Sequence, residues 1–141
     1  MFDELKKYSK NDHFFFAPDE SLKDSCNAPK NGSGVYVVNA LSRGRIDIVY
    51  IGSSGKIQND GSFKQRYGGL YDRIVNGKQF DGPRNKTWPL KMHQEQIDAL
   101  DIYWYETFNK SIQHIPSYVE GLVIQKYFEL CNQLPKWNRD Y

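Results

Sequence analysis

Long hydrophobic runs are missing from this chain: its uninterrupted apolar stretches extend for only a few residues, far below the ~20 that span a bilayer. The first ten residues are already charged at Asp3, Glu4, Lys6 and Lys7 and have no apolar core of the kind a secretory signal carries. A soluble, cytoplasmic protein without a membrane partner is therefore expected. Cysteine is scarce as well. Cys26 and Cys131 stand far apart with no C-x-x-C spacing, which argues against a disulfide framework and against a cysteine zinc site. Both thiols are expected reduced, Cys131 in the core. There are no internal repeats and no low-complexity tracts, and no second domain is expected after the last helix. The formal net charge is only +2, a balance that neither demands nor excludes nucleic acid.

What is present is aromatic. Three Trp, eight Phe and ten Tyr in 141 residues, with 39% hydrophobic content, suffice for one packed core. Positive charge is concentrated in residues 56–91, where Lys56, Lys64, Arg66, Arg73, Lys78, Arg84, Lys86 and Lys91 face only Asp60, Asp72 and Asp81. Such an excess can track phosphates, although a solvated helix face and loop would give the same count.

Residues 1–33 are polar and broken by Pro18, Pro29 and Gly32, and read as an N-terminal arm pinned to the core by Phe14-Phe15-Phe16. Residues 34–141 then form the domain proper. Gly34 to Leu41 and Ile46 to Gly52 are β-branched and aromatic around a Ser42-Arg43-Gly44-Arg45 turn, the pattern of an antiparallel hairpin. The glycine-rich stretch from Ser53 to Gly69 predicts a loop. Leu70 to Val75 has helical spacing and is stopped by Asn76-Gly77. A helix is expected over residues 88–100 with Pro89 in its first turn, a third strand over 101–108, and a helix over 116–134 with one buried stripe ending at Pro135.

Two strands each bring a tyrosine next to a glycine: Gly34-Val35-Tyr36 and Tyr50-Ile51-Gly52. A helix with an arginine follows, then a helix with a glutamate, then an asparagine after Pro135-Lys136-Trp137. In this order the motifs resemble the GIY-YIG nuclease family over roughly residues 34–138. The resemblance implies an α+β fold, a small three-stranded antiparallel sheet flanked by helices. It also implies a DNA endonuclease using one divalent ion, Mg²⁺ or Mn²⁺, and no small-molecule organic cofactor. The residues that match are Tyr36, Tyr50, Gly52, Arg73 or Arg66, Glu120 and Asn138. Arg73 is favoured over Arg66, because Gly68-Gly69 would break a helix running through Arg66. A histidine that often follows the family's arginine by one turn is replaced here by Gly77, which leaves open whether Lys56, Lys64, His93 or nothing takes its place.

The chemistry makes the set intelligible. Phosphodiester cleavage needs a nucleophile derived from water, a cation for the charge developing on phosphoryl oxygens, and stabilisation of the leaving oxygen. Glu120 could hold one hard ion that keeps several waters. An arginine beside the tyrosine pair would lower the pKa of Tyr50, the candidate base, and grip a phosphate oxygen. Tyr36 would orient the attacking water or hydrogen-bond Tyr50. Gly52 would let the substrate approach the backbone closely, and Lys56 and Lys64 would bind DNA.

Each residue also has an ordinary reading. The tyrosines could be a cross-strand aromatic pair, Ser117-x-x-Glu120 a capping box, Arg73 a surface residue, and Asn138 a turn residue. Specificity would fall to the N-terminal arm and to residues 53–69 and 78–86. The alternatives within the resemblance are a restriction-type enzyme, for which a homodimer on a symmetric site is common, a structure-specific nuclease, and a binding module that has lost cleavage.

Overall fold

The β-branched and aromatic run through residues 33–54 folds into a hairpin, strand β2 (Ser33–Ser42) paired antiparallel with β3 (Arg45–Ser54). Its two-residue turn places Arg43 at φ 51 and Gly44 at φ 76, the left-handed pair that matches the twist of a hairpin. The computed structural model describes residues 2–141. In it the hairpin lies in a four-stranded antiparallel sheet of order β1-β6-β2-β3, with β1 at Asn11–Phe16 and β6 at Ala99–Phe108.

The segment read as an arm is thus integral to the sheet: β1 is its fourth strand. Phe14 and Phe16 point into the core while Phe15 stands 55% exposed, so the three phenylalanines alternate in burial where their sequence does not alternate in polarity. Leu5 and Tyr8 are buried too. Residues 53–69, expected as a loop, hold a small ribbon of β4 (Lys56–Ile57) and β5 (Phe63–Lys64).

A short helix, α1 (Leu22–Ser25), follows β1, and three longer helices cover both faces of the sheet. On one face, α2 (Gly69–Asn76) and α3 (Arg84–Glu95) bury Leu70, Ile74, Val75, Trp88 and Met92 against Tyr36, Val38, Ala40, Leu100 and Ile102. On the other, α4 (Pro116–Cys131) sets Val119, Val123 and Ile124 against Val35, Val37 and Ile51. α3 starts four residues before the expected Trp88, because Pro83 precedes its first turn and Pro89 lies inside it. α4 stops at Cys131 where Asn132 turns left-handed, and Cys131 is exposed, contrary to the expected core position; Cys26 is the buried thiol. Among the described residues no helix is long and apolar enough to cross a membrane.

β3 is an edge strand, and such edges leave backbone groups to be satisfied. The C-terminal segment does this. Trp137 N–H donates to Val49 O at 2.8 Å, while the Asn138 carboxamide accepts from Ile51 N–H and donates to Ile51 O, both at 3.0 Å. Asn138→Ala strips both bonds and is expected to cost roughly 1–2 kcal/mol, read as a lower urea midpoint at unchanged slope.

Candidate active site

Tyr36 and Tyr50 reach the same face of the sheet because of register and a bulge. Tyr36 lies directly opposite Gly52, and Val38 opposite Tyr50, before the pairing slips one residue at Val38/Asn39. That slip turns both Val49 and Tyr50 toward α2 and α3. The two rings sit 6.0 Å apart, tilted by 33°. Gly52 makes this possible, for a Cβ there would come within 2.5 Å of the Tyr36 hydroxyl and 2.7 Å of the Tyr50 ring. The space on the Cβ side of Gly52 is filled by the tyrosine pair.

Tyr36 is fully buried, so it orients groups from below the surface. Its hydroxyl accepts from Arg84 Nη1 at 2.7 Å, and no hydrogen bond joins it to Tyr50 among the described residues. Arg84 is a site residue that sequence reasoning missed. It is 1% exposed and has no carboxylate in an ion pair with it among the described residues. Oxygen dipoles serve instead: Arg84 Nη1 also donates to Arg73 O at 2.9 Å, and Nε to Gln79 Oε1 at 3.0 Å. Gln79 Oε1 accepts from Trp88 Nε1 as well, at 2.9 Å. The guanidinium carbon lies 5.4, 5.0 and 5.2 Å from the ring centres of Tyr36, Tyr50 and Trp88, within the range of cation–π attraction.

Arg73 projects from the last turn of α2 and is half-buried. Its guanidinium is held firmly protonated, chiefly by the neighbouring Tyr36 phenol and further by Tyr50 and Glu120, against the opposing effect of burial. Gly77 sits between the two arginines: a Cβ there would lie 3.0 Å from Arg84 Nη1, 3.2 Å from Arg73 Nη1 and 2.3 Å from Arg73 O. The space beside this position is thus taken by Arg84, whereas His93 is exposed on α3 and lines no part of the cleft described next.

Glu120 comes from the opposite side of the sheet. α4 is capped at Ile115 with Pro116 in its first turn and no side-chain cap, so the capping box that was the ordinary reading of Ser117 and Glu120 does not form. Glu120 Oε1 instead accepts from Ser53 Oγ across the β3 edge. Burial raises the Glu120 carboxyl pKa, and the Ser53 bond and Arg73 offset this only partly. Tyr50 is also raised, by burial first and the nearby Tyr36 second, with Arg84 and Arg73 pulling the other way. The lowered Tyr50 expected from the sequence is therefore reversed, because desolvation outweighs both arginines.

Tyr50, Gly52, Ser53, Ser54, Gly55, Lys56, Lys64, Arg66, Arg73 and Glu120 line one open cleft of about 470 Å³. Four cations against one carboxylate give its lining a net positive charge, which favours anions. Arg66 is partly neutralised by Asp72, Nε to Oδ2 at 2.8 Å, while Arg73 stands beside the tyrosines. Asn138 has both ends of its side chain on the Ile51 backbone. These bonds tie the C-terminal segment to the strand that carries Tyr50 and Gly52.

Among the described residues no three His, Cys, Asp or Glu side chains converge as a metal cluster. The cleft-lining residues with side-chain oxygens include Glu120, Ser53, Ser54 and Tyr50, and Glu120 is the carboxylate among them. One carboxylate with hard oxygen neighbours fits a Mg²⁺ or Mn²⁺ ion that keeps most of its water, and does not fit zinc. Comparison with protein-family models, with curated proteins and with solved structures finds no match to this chain.

The raised Glu120 pKa gives a stability signature. A carboxyl with its folded-state pKa above the ordinary 4.5 opposes folding once ionised, and that cost appears as pH rises through the folded value. Glu120→Gln is expected to raise the melting temperature at neutral pH and to match the native chain below about pH 4. Melts at both pH values check this; a less stable variant at neutral pH would make Glu120 a structural residue.

Proposed function

We propose that this chain is a metal-dependent DNA endonuclease of the GIY-YIG type. One observation carries the reading: residues far apart in sequence, Tyr50, Arg73 and Glu120, meet at one electropositive cleft with Tyr36 packed directly behind them. Ordinary readings of each residue do not require them to converge.

The protein's own groups divide the work. Arg73, fixed in its charged state, is the group to hold a nonbridging phosphate oxygen. Tyr50 Oη is the candidate acceptor of a proton from the attacking water, with Arg84 and Arg73 as the cations that act against its burial. Tyr36 fixes the Tyr50 ring and Arg84, and Asn138 fixes the strand. Glu120, with Ser53 beside it, would hold the Mg²⁺ or Mn²⁺ ion, which when bound supplies positive charge for the developing phosphoryl charge and the leaving oxygen.

A second reading has a specific observation in its favour. The raised Tyr50 is a poor base, as suits a nucleic-acid-binding module that has kept the scaffold without cleavage. Mixed plasmid DNA with Mg²⁺ or Mn²⁺ separates the two. Cleavage by the native chain is expected, with Glu120→Gln inactive but still shifting DNA on a gel, and Tyr50→Phe slowed by about 10²-fold or more. Discrete fragments would mark a restriction-type enzyme, a smear a nonspecific one, and preference for branched over linear duplex a structure-specific one. DNA shifted without cleavage by the native chain would establish the binding module, and neither binding nor cleavage would overturn both readings.

A further inference from the structure

Lys56 and Lys64 face each other directly across the β4–β5 ribbon. Like charges at opposed strand positions repel, and neither lysine is in an ion pair among the described residues. The surrounding chain nevertheless holds the ribbon in place. Phe63, next to Lys64, stacks on Phe108 with ring centres 3.9 Å apart. Gln58 N–H closes the ribbon's turn on Ser62 O at 2.7 Å. Gly55 enters it at φ +105, where a Cβ would meet the Phe63 ring at 2.5 Å. Two repelling ammonium groups are thus presented together on the wall of the cleft.

A second, independent feature lies beside them. Ser54 lines the same cleft and is only 5% exposed, yet its Oγ has no hydrogen-bond partner within the protein. A buried hydroxyl left without a partner is less favourable than alanine would be. A phosphate answers the first feature directly, its charge offsetting that of the facing lysines, and answers the second once the Ser54 side chain, whose Oγ is closed to solvent as it stands, turns about χ1 to donate to it. Arg66 already engages Asp72, and Arg73 stands at the tyrosine end of the cleft with Glu120, so the ribbon end is chemically separate.

We propose that Lys56, Lys64 and the Ser54 hydroxyl form a second phosphate subsite, so that the cleft takes a polynucleotide strand through two phosphates at once and not a mononucleotide or free phosphate. The polynucleotide part of this proposal rests on the nuclease reading; the anion subsite rests on the ribbon alone. The test uses the full chain in a Glu120→Gln background, with a fluorescent duplex oligonucleotide titrated over a series of salt concentrations. Lys56→Gln/Lys64→Gln is expected to flatten the slope of log K against log salt by about 0.9, since one phosphate contact is lost and each contributes about 0.9. Ser54→Ala is expected to weaken binding about tenfold with the melting temperature unchanged or higher, which a structural serine would not do. An unchanged slope in a chain that still binds and, with Glu120 restored, still cleaves DNA would overturn the subsite alone. Ser54→Ala that melts lower with affinity intact would remove the serine from it. Absence of oligonucleotide binding by the native chain would overturn both the subsite and the nuclease reading.

Discussion

The buried guanidinium of Arg84 is the constraint around which the candidate site is organised. A cation removed from water is costly unless its donors find oxygens and its charge finds a partner. Here the partners are one phenol, one backbone carbonyl, one carboxamide and three aromatic faces. Tyr36 is drawn to a single orientation, the last turn of α2 is drawn toward α3 through the Arg73 carbonyl, and Gln79 links both to Trp88. Among the described residues no carboxylate is in an ion pair with it, and its charge acts on Tyr50. The same packing explains the glycines: Gly52 leaves room for the tyrosines, and Gly77 for the two arginines.

A second constraint is that the site straddles an edge strand. Because β3 has no neighbour on its outer side, residues from both of its faces can contribute: Tyr50 from the α2 and α3 face, and Ser53 bonded to Glu120 from the α4 face. An interior strand would separate these groups by a full layer of sheet. The cost of an edge is its unpaired backbone, and the C-terminal segment meets it through Trp137 and Asn138. Asn138 therefore touches the candidate site at one remove, through the position of Ile51 and its two neighbours.

Much of the α+β architecture was legible in the sequence, since β-branched alternation marks β2, β3 and β6, and Asn76-Gly77 marks the end of α2. β1 was not, because Asn11-Asp12-His13 leads into three consecutive phenylalanines and hides the alternation that burial reveals. α3 was misplaced for a similar reason. Its buried stripe is Arg84, Trp88 and Met92 at helical spacing, and a stripe beginning with arginine reads as solvent-facing, while Leu90, which reads as core, is 64% exposed. Arg84 escaped notice on the same ground. The tyrosines, Arg73 and Glu120 were legible as a set through motif order, but the direction of the Tyr50 pKa was not, since desolvation depends on packing that no local motif encodes. Glu120's partner, Ser53, lies on a strand 67 residues earlier, beyond the reach of a capping pattern.

Arg84→Lys puts the organising role of this buried cation to the most direct trial, with urea unfolding and Mg²⁺- or Mn²⁺-dependent DNA cleavage measured on the same preparation. An ammonium keeps the charge but cannot span Tyr36 Oη, Arg73 O and Gln79 Oε1 together. Stability is expected to fall by roughly 2–4 kcal/mol, and cleavage to fall steeply under conditions where the variant is still folded, although Arg84 itself is buried beneath the cleft. Native stability with native turnover would contradict the assignment of Arg84 as the group that holds the tyrosines and Arg73 in one site.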